Sequence, residues 1–191
     1  MQRLRHNLRW MLLLGGLLPL AVMPGFAGAA DFKIKHAETT LVDSVYWLDA
    51  TIDYALSEQA LEALDNGVPL TFLLEIDVMR IRDYVWDEDV ASLQQRYQLQ
   101  YHALTDQYLV KNLNSGAQHA LPTLGIALSV LGAVLDLPIL DRKLLVPGER
   151  YMVSMGVSLD IEALPVPMRV IAYFSSDWRL ASARYTWPLP F

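Results

Sequence analysis

The chain contains no cysteine, so thiol chemistry is absent and histidine, carboxylate and hydroxyl side chains are the main candidates for metal binding or catalysis. Past residue 30 the histidines are His36, His102 and His119. None stands in the HxH or HExxH spacing that would bring two imidazoles onto one metal, so they read as sheet-surface residues. Asp87, Glu88 and Asp89 form a run of carboxylates of the kind that attracts calcium. The run lacks the glycine and alternating oxygen ligands of a calcium loop and reads as a solvated turn. Asp49 and Asp53 share one strand face and have the types for acid and base work, although isolated carboxylates on an exposed face are far commoner. No GxSxG elbow, SxxK or P-loop is present, and no group stands beside a serine or threonine to activate it. No catalytic residue, metal or cofactor follows from these residues, and the chain reads as non-enzymatic.

Two sets of residues suggest binding instead. Arg80, Arg82, Tyr84 and Trp86 share one parity near the end of a strand, and Arg, Tyr and Trp are the types that dominate binding hot spots because they bury large area at low entropic cost. Gly125, Ser129 and Gly132 line one face of a helix with almost no side chain. Close packing is the bland reading of that face, and one wall of an apolar slot for a small molecule or lipid is the sharper one.

The first set belongs to the longest period-2 stretch in the chain, Val68 to Asn112. Leu70, Phe72, Leu74, Ile76 and Val78 alternate with Thr71, Glu75 and Asp77; Leu93, Tyr97, Leu99 and Tyr101 then alternate with polar residues. Two half-buried antiparallel strands follow. Pairing them about Trp86 to Glu88 fixes parity. A loop at Trp86-Asp87 sets Asp77 opposite Arg96 and Leu74 opposite Leu99, and a loop at Asp87-Glu88 moves each pairing by two. Neither has the Asn-Gly chemistry of a tight hairpin, which favours a longer, irregular tip. Leu70 to Asp83 would reach about 46 Å at 3.3 Å per residue, beyond the core of a domain this size, so the tip is expected to contact a partner.

The remaining elements are read from the same signals. Phe32 to Val42 and Tyr46 to Tyr54 form a hairpin about Asp43-Ser44. Ser57 caps a helix through Leu64 that ends at Asn66-Gly67. Tyr108 to Asn112 and Ala117 to Leu121 extend the sheet. Thr123 caps a helix to about Leu135, with Leu124, Leu128, Leu131 and Leu135 as its apolar stripe. Asp136 to Leu140 reads as a loop around Pro138, Arg150 to Asp160 as a strand, Met168 to Phe174 as a short helix, and Trp178 to Trp187 as a last strand. The alternating aromatic end, Tyr185 to Phe191, has the look of an outer-membrane barrel terminus, but Pro188, Pro190 and the helix at Thr123 argue against a barrel. The expected fold is one mainly β domain, residues 31 to 191, built as an antiparallel, hairpin-rich β-sandwich of about eight strands with two or three short helices. The alternative is α+β, with helices on one face of a single antiparallel sheet.

Residues 1 to 30 are a separate object. Arg3, Arg5 and Arg9 precede an apolar run from Trp10 to Val22, and small residues at Ala27 to Ala30 follow, which is the layout of a secretory signal peptide. The run has 13 residues and is interrupted by Pro19, short of the about 20 that span a bilayer. Export to the periplasm is expected, with an uncleaved inner-membrane anchor as the alternative and no transmembrane segment after cleavage. The whole chain carries 15 basic and 21 acidic side chains, a net of −6; without the three leading arginines the balance is 12 to 21, a net of −9. So acidic a domain is a poor ligand for nucleic acid. No motif indicates an oligomeric state.

The segments NGVPLTF, RYQLQYHAL with YLVKNL, LPTLGIAL, LPIL, LPVPMR, DWRL and RYTWPL, in this order after a signal-like leader, resemble the Gram-negative bacterial family called domain of unknown function 4390, over Asp31 to Leu189. The resemblance implies an exported protein with no assigned activity and no catalytic residues. It also implies a hairpin tip rich in Arg and Trp, here Arg80, Arg82 and Trp86, and gene neighbours that include an envelope sensor kinase and a ribosomal RNA methyltransferase. An envelope protein, such as the sensory domain of a kinase, is therefore the expected partner.

Overall fold

The computed structural model describes residues 31–190, and the signal-peptide reading of residues 1–30 lies outside them. Nine strands and three α-helices follow in chain order: β1 (Phe32–Val42), β2 (Val45–Tyr54), α1 (Glu58–Asp65), β3 (Leu70–Ile81), β4 (Glu88–His102), β5 (Gln107–Asn112), β6 (Gln118–Leu121), α2 (Leu124–Leu131), β7 (Ala133–Asp141), β8 (Arg150–Leu159), α3 (Val166–Phe174) and β9 (Tyr185–Pro188). They form two antiparallel sheets, three-stranded β1-β2-β7 and six-stranded β6-β5-β4-β3-β8-β9. The protein is mainly β, as its alternating patterns require.

Alternation puts one row of each central strand into a shared core. Leu70, Phe72, Leu74, Ile76 and Val78 of β3 and Tyr151, Val153, Met155, Val157 and Leu159 of β8 are buried, as are Tyr46, Leu48, Ala50, Ile52 and Tyr54 of β2. Rings of Phe32, Tyr54 and Phe72 meet edge-on or tilted, with centroids 4.9 to 5.6 Å apart, and tie the sheets together at one end. Nearer the other end, the buried Trp187 indole N–H donates to Thr39 Oγ1 at 3.2 Å, so a polar ring atom between the sheets has its partner. In β1 the inward row passes from Ile34 to Ala37 because a register shift falls between Ile34 and His36.

Local chemistry closes the short elements as expected. Asp43 and Ser44 both take positive φ, 49° and 70°, which lets a two-residue loop follow the twist of its strands. Ser57 and Thr123 each accept a hydrogen bond from the third residue on, Ala60 N at 3.2 Å and Ile126 N at 3.3 Å.

Three expectations fail in the second half. The helix after Thr123 ends at Leu131, and the segment read as a loop around Pro138 is strand β7. Gly132 caps the helix, and its carbonyl accepts from Ile52 N at 2.8 Å. The edge of β2 therefore recruits residues whose helical period would otherwise continue, and Leu135 becomes an exposed strand residue. Pro138 is tolerated because β7 is an edge strand. The last strand does not begin at Trp178: Ser176–Trp178 is a 3-10 turn that buries the indole, Ala181 makes an isolated bridge to Ser158 of β8, and continuous strand pairing runs over Tyr185–Pro188.

Candidate interaction site at the hairpin tip

β3 and β4 pair with Leu70 opposite Leu99, Phe72 opposite Tyr97 and Val78 opposite Ala91. Parity is as expected, but neither register with Asp77 opposite Arg96 or two residues on is adopted. Asp77 lies opposite Ser92, whose hydroxyl donates to its carboxylate at 2.7 Å. The pairing differs because the turn is a six-residue loop, Arg82 to Asp87, preceded by a one-residue shift between Val78 and Met79.

Side chains from three directions pin this loop. Arg80 pairs with Glu88 opposite it, and Arg82 reaches the same carboxylate at 3.7 Å. Arg82 Nε donates to the Trp86 carbonyl at 3.0 Å, and the Arg82 amide donates to Asp87 Oδ1 at 3.2 Å. From β8, which runs beside β3, Arg150 pairs with Asp83 at 2.6 Å. The carboxylates of Asp87 and Glu88 are thus part of the brace. Tyr84, at the apex, is held at φ 75°, a conformation rare for a residue with a bulky side chain.

The four residues singled out from sequence therefore divide. The common parity of Arg80, Arg82, Tyr84 and Trp86 holds only as far as Ile81, where β3 ends. Both arginines turn into the loop; Arg80 is only partly exposed and its Nε is buried without a partner among the described residues. Tyr84 and Trp86 are bare, at 104% and 91% of full exposure, and Val85 beside them stands at 61%. Two rings and an isopropyl group are presented on a backbone that is already fixed.

Gly125, Ser129 and Gly132 also divide. Gly132 is shut: a Cβ built there would lie 2.1 Å from the Ile52 carbonyl oxygen. Gly125 has nothing among the described residues within 4 Å of such an atom, and Ser129 donates its hydroxyl to the Gly125 carbonyl at 2.8 Å. All three border a shallow depression of about 360 Å³ with Lys35, Asp53 and Tyr54. Lys35 and Asp53 pair at 2.9 Å across its rim, so charge borders it. Burial, with Tyr97 adding to it, pushes the Tyr54 phenol well above its ordinary value and keeps it neutral.

The remaining candidates are apart. His36 is on β1 beside Glu38, His102 contacts Thr105 in the β4–β5 turn, and His119 is on β6. Asp53 faces Lys35, whereas Asp49 accepts from the Asp136 amide at 2.9 Å and helps seat β7.

One surface escaped the sequence reading: Val166, Val170, Ile171, Tyr173 and Phe174 of α3 are all exposed. The signal was present in VPMRVIAYF, a helix with apolar residues on every side, which is too many for one buried face.

Comparison with curated proteins and with solved structures gave no match. Among protein families, the one described as "Domain of unknown function (DUF4390)" matches residues 29–188, and the chain belongs to that family.

Proposed function

We propose that the protein is a non-enzymatic interaction module of the bacterial envelope, which captures a protein partner through Tyr84, Val85 and Trp86. The observation that carries this is the pairing of full exposure with a braced backbone at the tip. Association is weakened by the ordering of side chains and loops, and a loop held before contact avoids much of that loss. Aromatic residues on such a loop supply area with few rotors to fix. The protein then works in the periplasm, exported by its first thirty residues, and the sensory domain of a kinase is one candidate partner.

The test is in-cell photo-crosslinking from a probe replacing Trp86. One dominant protein adduct supports the module and names its partner. Lipid adducts alone, or no adduct from exported and folded protein, would overturn it. Replacing Tyr84 and Trp86 together by Ala is expected to abolish capture and to leave stability within about 0.5 kcal/mol, since neither ring contributes to the core.

A further inference from the structure

On a helical projection of α3 at 100° per residue, Tyr173, Val166, Val170, Phe174, Pro167 and Ile171 follow one another around about 160° with no charge among them. All six are exposed, Phe174 at 87%. The opposite side holds the helix to the protein: Ala172 is fully buried, and Met168, with Ile171 at the margin of the arc, lines a groove against α1 with Ala63 and Trp178. The two nearby cations are tied back, Arg169 Nε donating to the Leu164 carbonyl at 2.7 Å and Arg179 to the Tyr173 carbonyl at 3.1 Å. The exposed arc is thus convex, apolar and uncharged.

Its position indicates what covers it. α3 lies past the end of β8, where Leu159 pairs with Phe72 and the Asp160 amide donates to the Thr71 carbonyl, at the end of β3 opposite the tip. The chain enters the fold at this same end. Asp31 accepts from the Ala55 amide, and two residues on Ser57 donates to the Asp177 carbonyl beside α3. Between the apolar run Trp10 to Val22 and Phe32 lie only Met23 to Asp31, which span at most about 30 Å fully extended. While that run is attached and in a bilayer, this length lets the chain's entry point, and α3 beside it, reach the lipid surface; the tip is at the other end of β3, about 40 Å away at the length of twelve strand residues.

We propose that α3 is an interfacial helix whose Val166 to Phe174 arc rests at the boundary between lipid headgroups and acyl chains. The proposal rests on residues 10–22 staying attached as an uncleaved anchor, the alternative to cleavage, and is independent of the tip. The lipid is zwitterionic in character, because Glu58, Glu62 and Asp65 of α1 and Glu162 before α3 set a negative field at this end.

Absence of cysteine makes the test direct, since one introduced thiol carries one label. The full chain with Val170→Cys, bearing an environment-sensitive fluorophore, is mixed with phosphatidylcholine and phosphatidylethanolamine vesicles containing a lipid spin-label quencher. Quenching of about twofold or more is expected at position 170 and none for the same label at position 85 in Val85→Cys. Adding Phe174→Ser to the Val170→Cys protein should reduce the quenching without lowering the melting temperature. A label at 170 that stays unquenched while the chain floats with vesicles through residues 10–22 overturns the proposal. So does a label shielded from an aqueous quencher yet untouched by the lipid-borne one, which would make the arc a protein-binding face.

Discussion

The small-residue face of α2 and the aromatic tip of the β3–β4 hairpin relate side-chain size to space in opposite ways. At Gly132 a side chain is missing because the backbone of β2 takes the room, with the Ile52 carbonyl 2.1 Å from where a Cβ would stand. At Tyr84 and Trp86 large side chains are present where nothing covers them. Small residues on a helix face thus mark close approach of another backbone before they mark a ligand, and large ones at a strand end mark display once the backbone beneath them is fixed.

The strongest way to break this comparison is Gly132→Ala. The added methyl must push either β2 or the end of α2 aside, and both are backbone, so a loss of about 3 kcal/mol is expected in urea unfolding. A neutral result would mean that α2 can move away from β2, and the reading of this face as one wall of a slot for a small molecule or lipid would regain its ground.

Gly125→Ala sharpens the contrast from within the same face. Nothing lies within 4 Å of a Cβ there, and the residue is in the first turn of the helix. Ala restricts the unfolded chain and favours the helix, so a gain of up to about 1 kcal/mol is expected in the same unfolding measurement. Opposite signs at two glycines seven residues apart would confine the close approach to the C-terminal end of α2. A loss at both would mean that the whole face is closed.

Much of this arrangement was legible in the sequence. The inward rows of β2, β3 and β8 follow from alternation, and the caps at Ser57 and Thr123 from side-chain chemistry. The position of the tip at the far end of a long hairpin, and the presence there of Tyr84 and Trp86, were legible too. Three details were not. α2 stops where β2 offers hydrogen bonds, although the leucine spacing runs on to Leu135. The lack of Asn-Gly chemistry pointed to a longer tip, as the six-residue loop is, but the register also depends on the shift between Val78 and Met79, which leaves no mark in composition. The inward turn of Arg80 and Arg82 depends on Glu88 from β4, and the loop is tightened by Arg150 from β8. A parity argument cannot pass Tyr84 in any case, since a positive φ resets the direction of the side chains after it.

That positive φ also supplies the smallest and most selective test. A bulky residue in the left-handed region is disfavoured by about 1 kcal/mol, and strain of this kind tends to persist where a side chain has a use. Nothing in the fold needs the Tyr84 ring, which makes no contact with the core. Glycine adopts φ 75° freely but gains entropy in the unfolded chain, so the two effects largely offset and Tyr84→Gly should raise stability by about 0.5 kcal/mol. If the ring is there to be bound, the same variant should lose crosslinking to the partner from position 86 while it unfolds at slightly higher urea. Stability and capture would then move in opposite directions at one residue. A fall in both would make Tyr84 part of the structural brace, alongside Arg82 and Asp87, and would leave Trp86 and Val85 as the display.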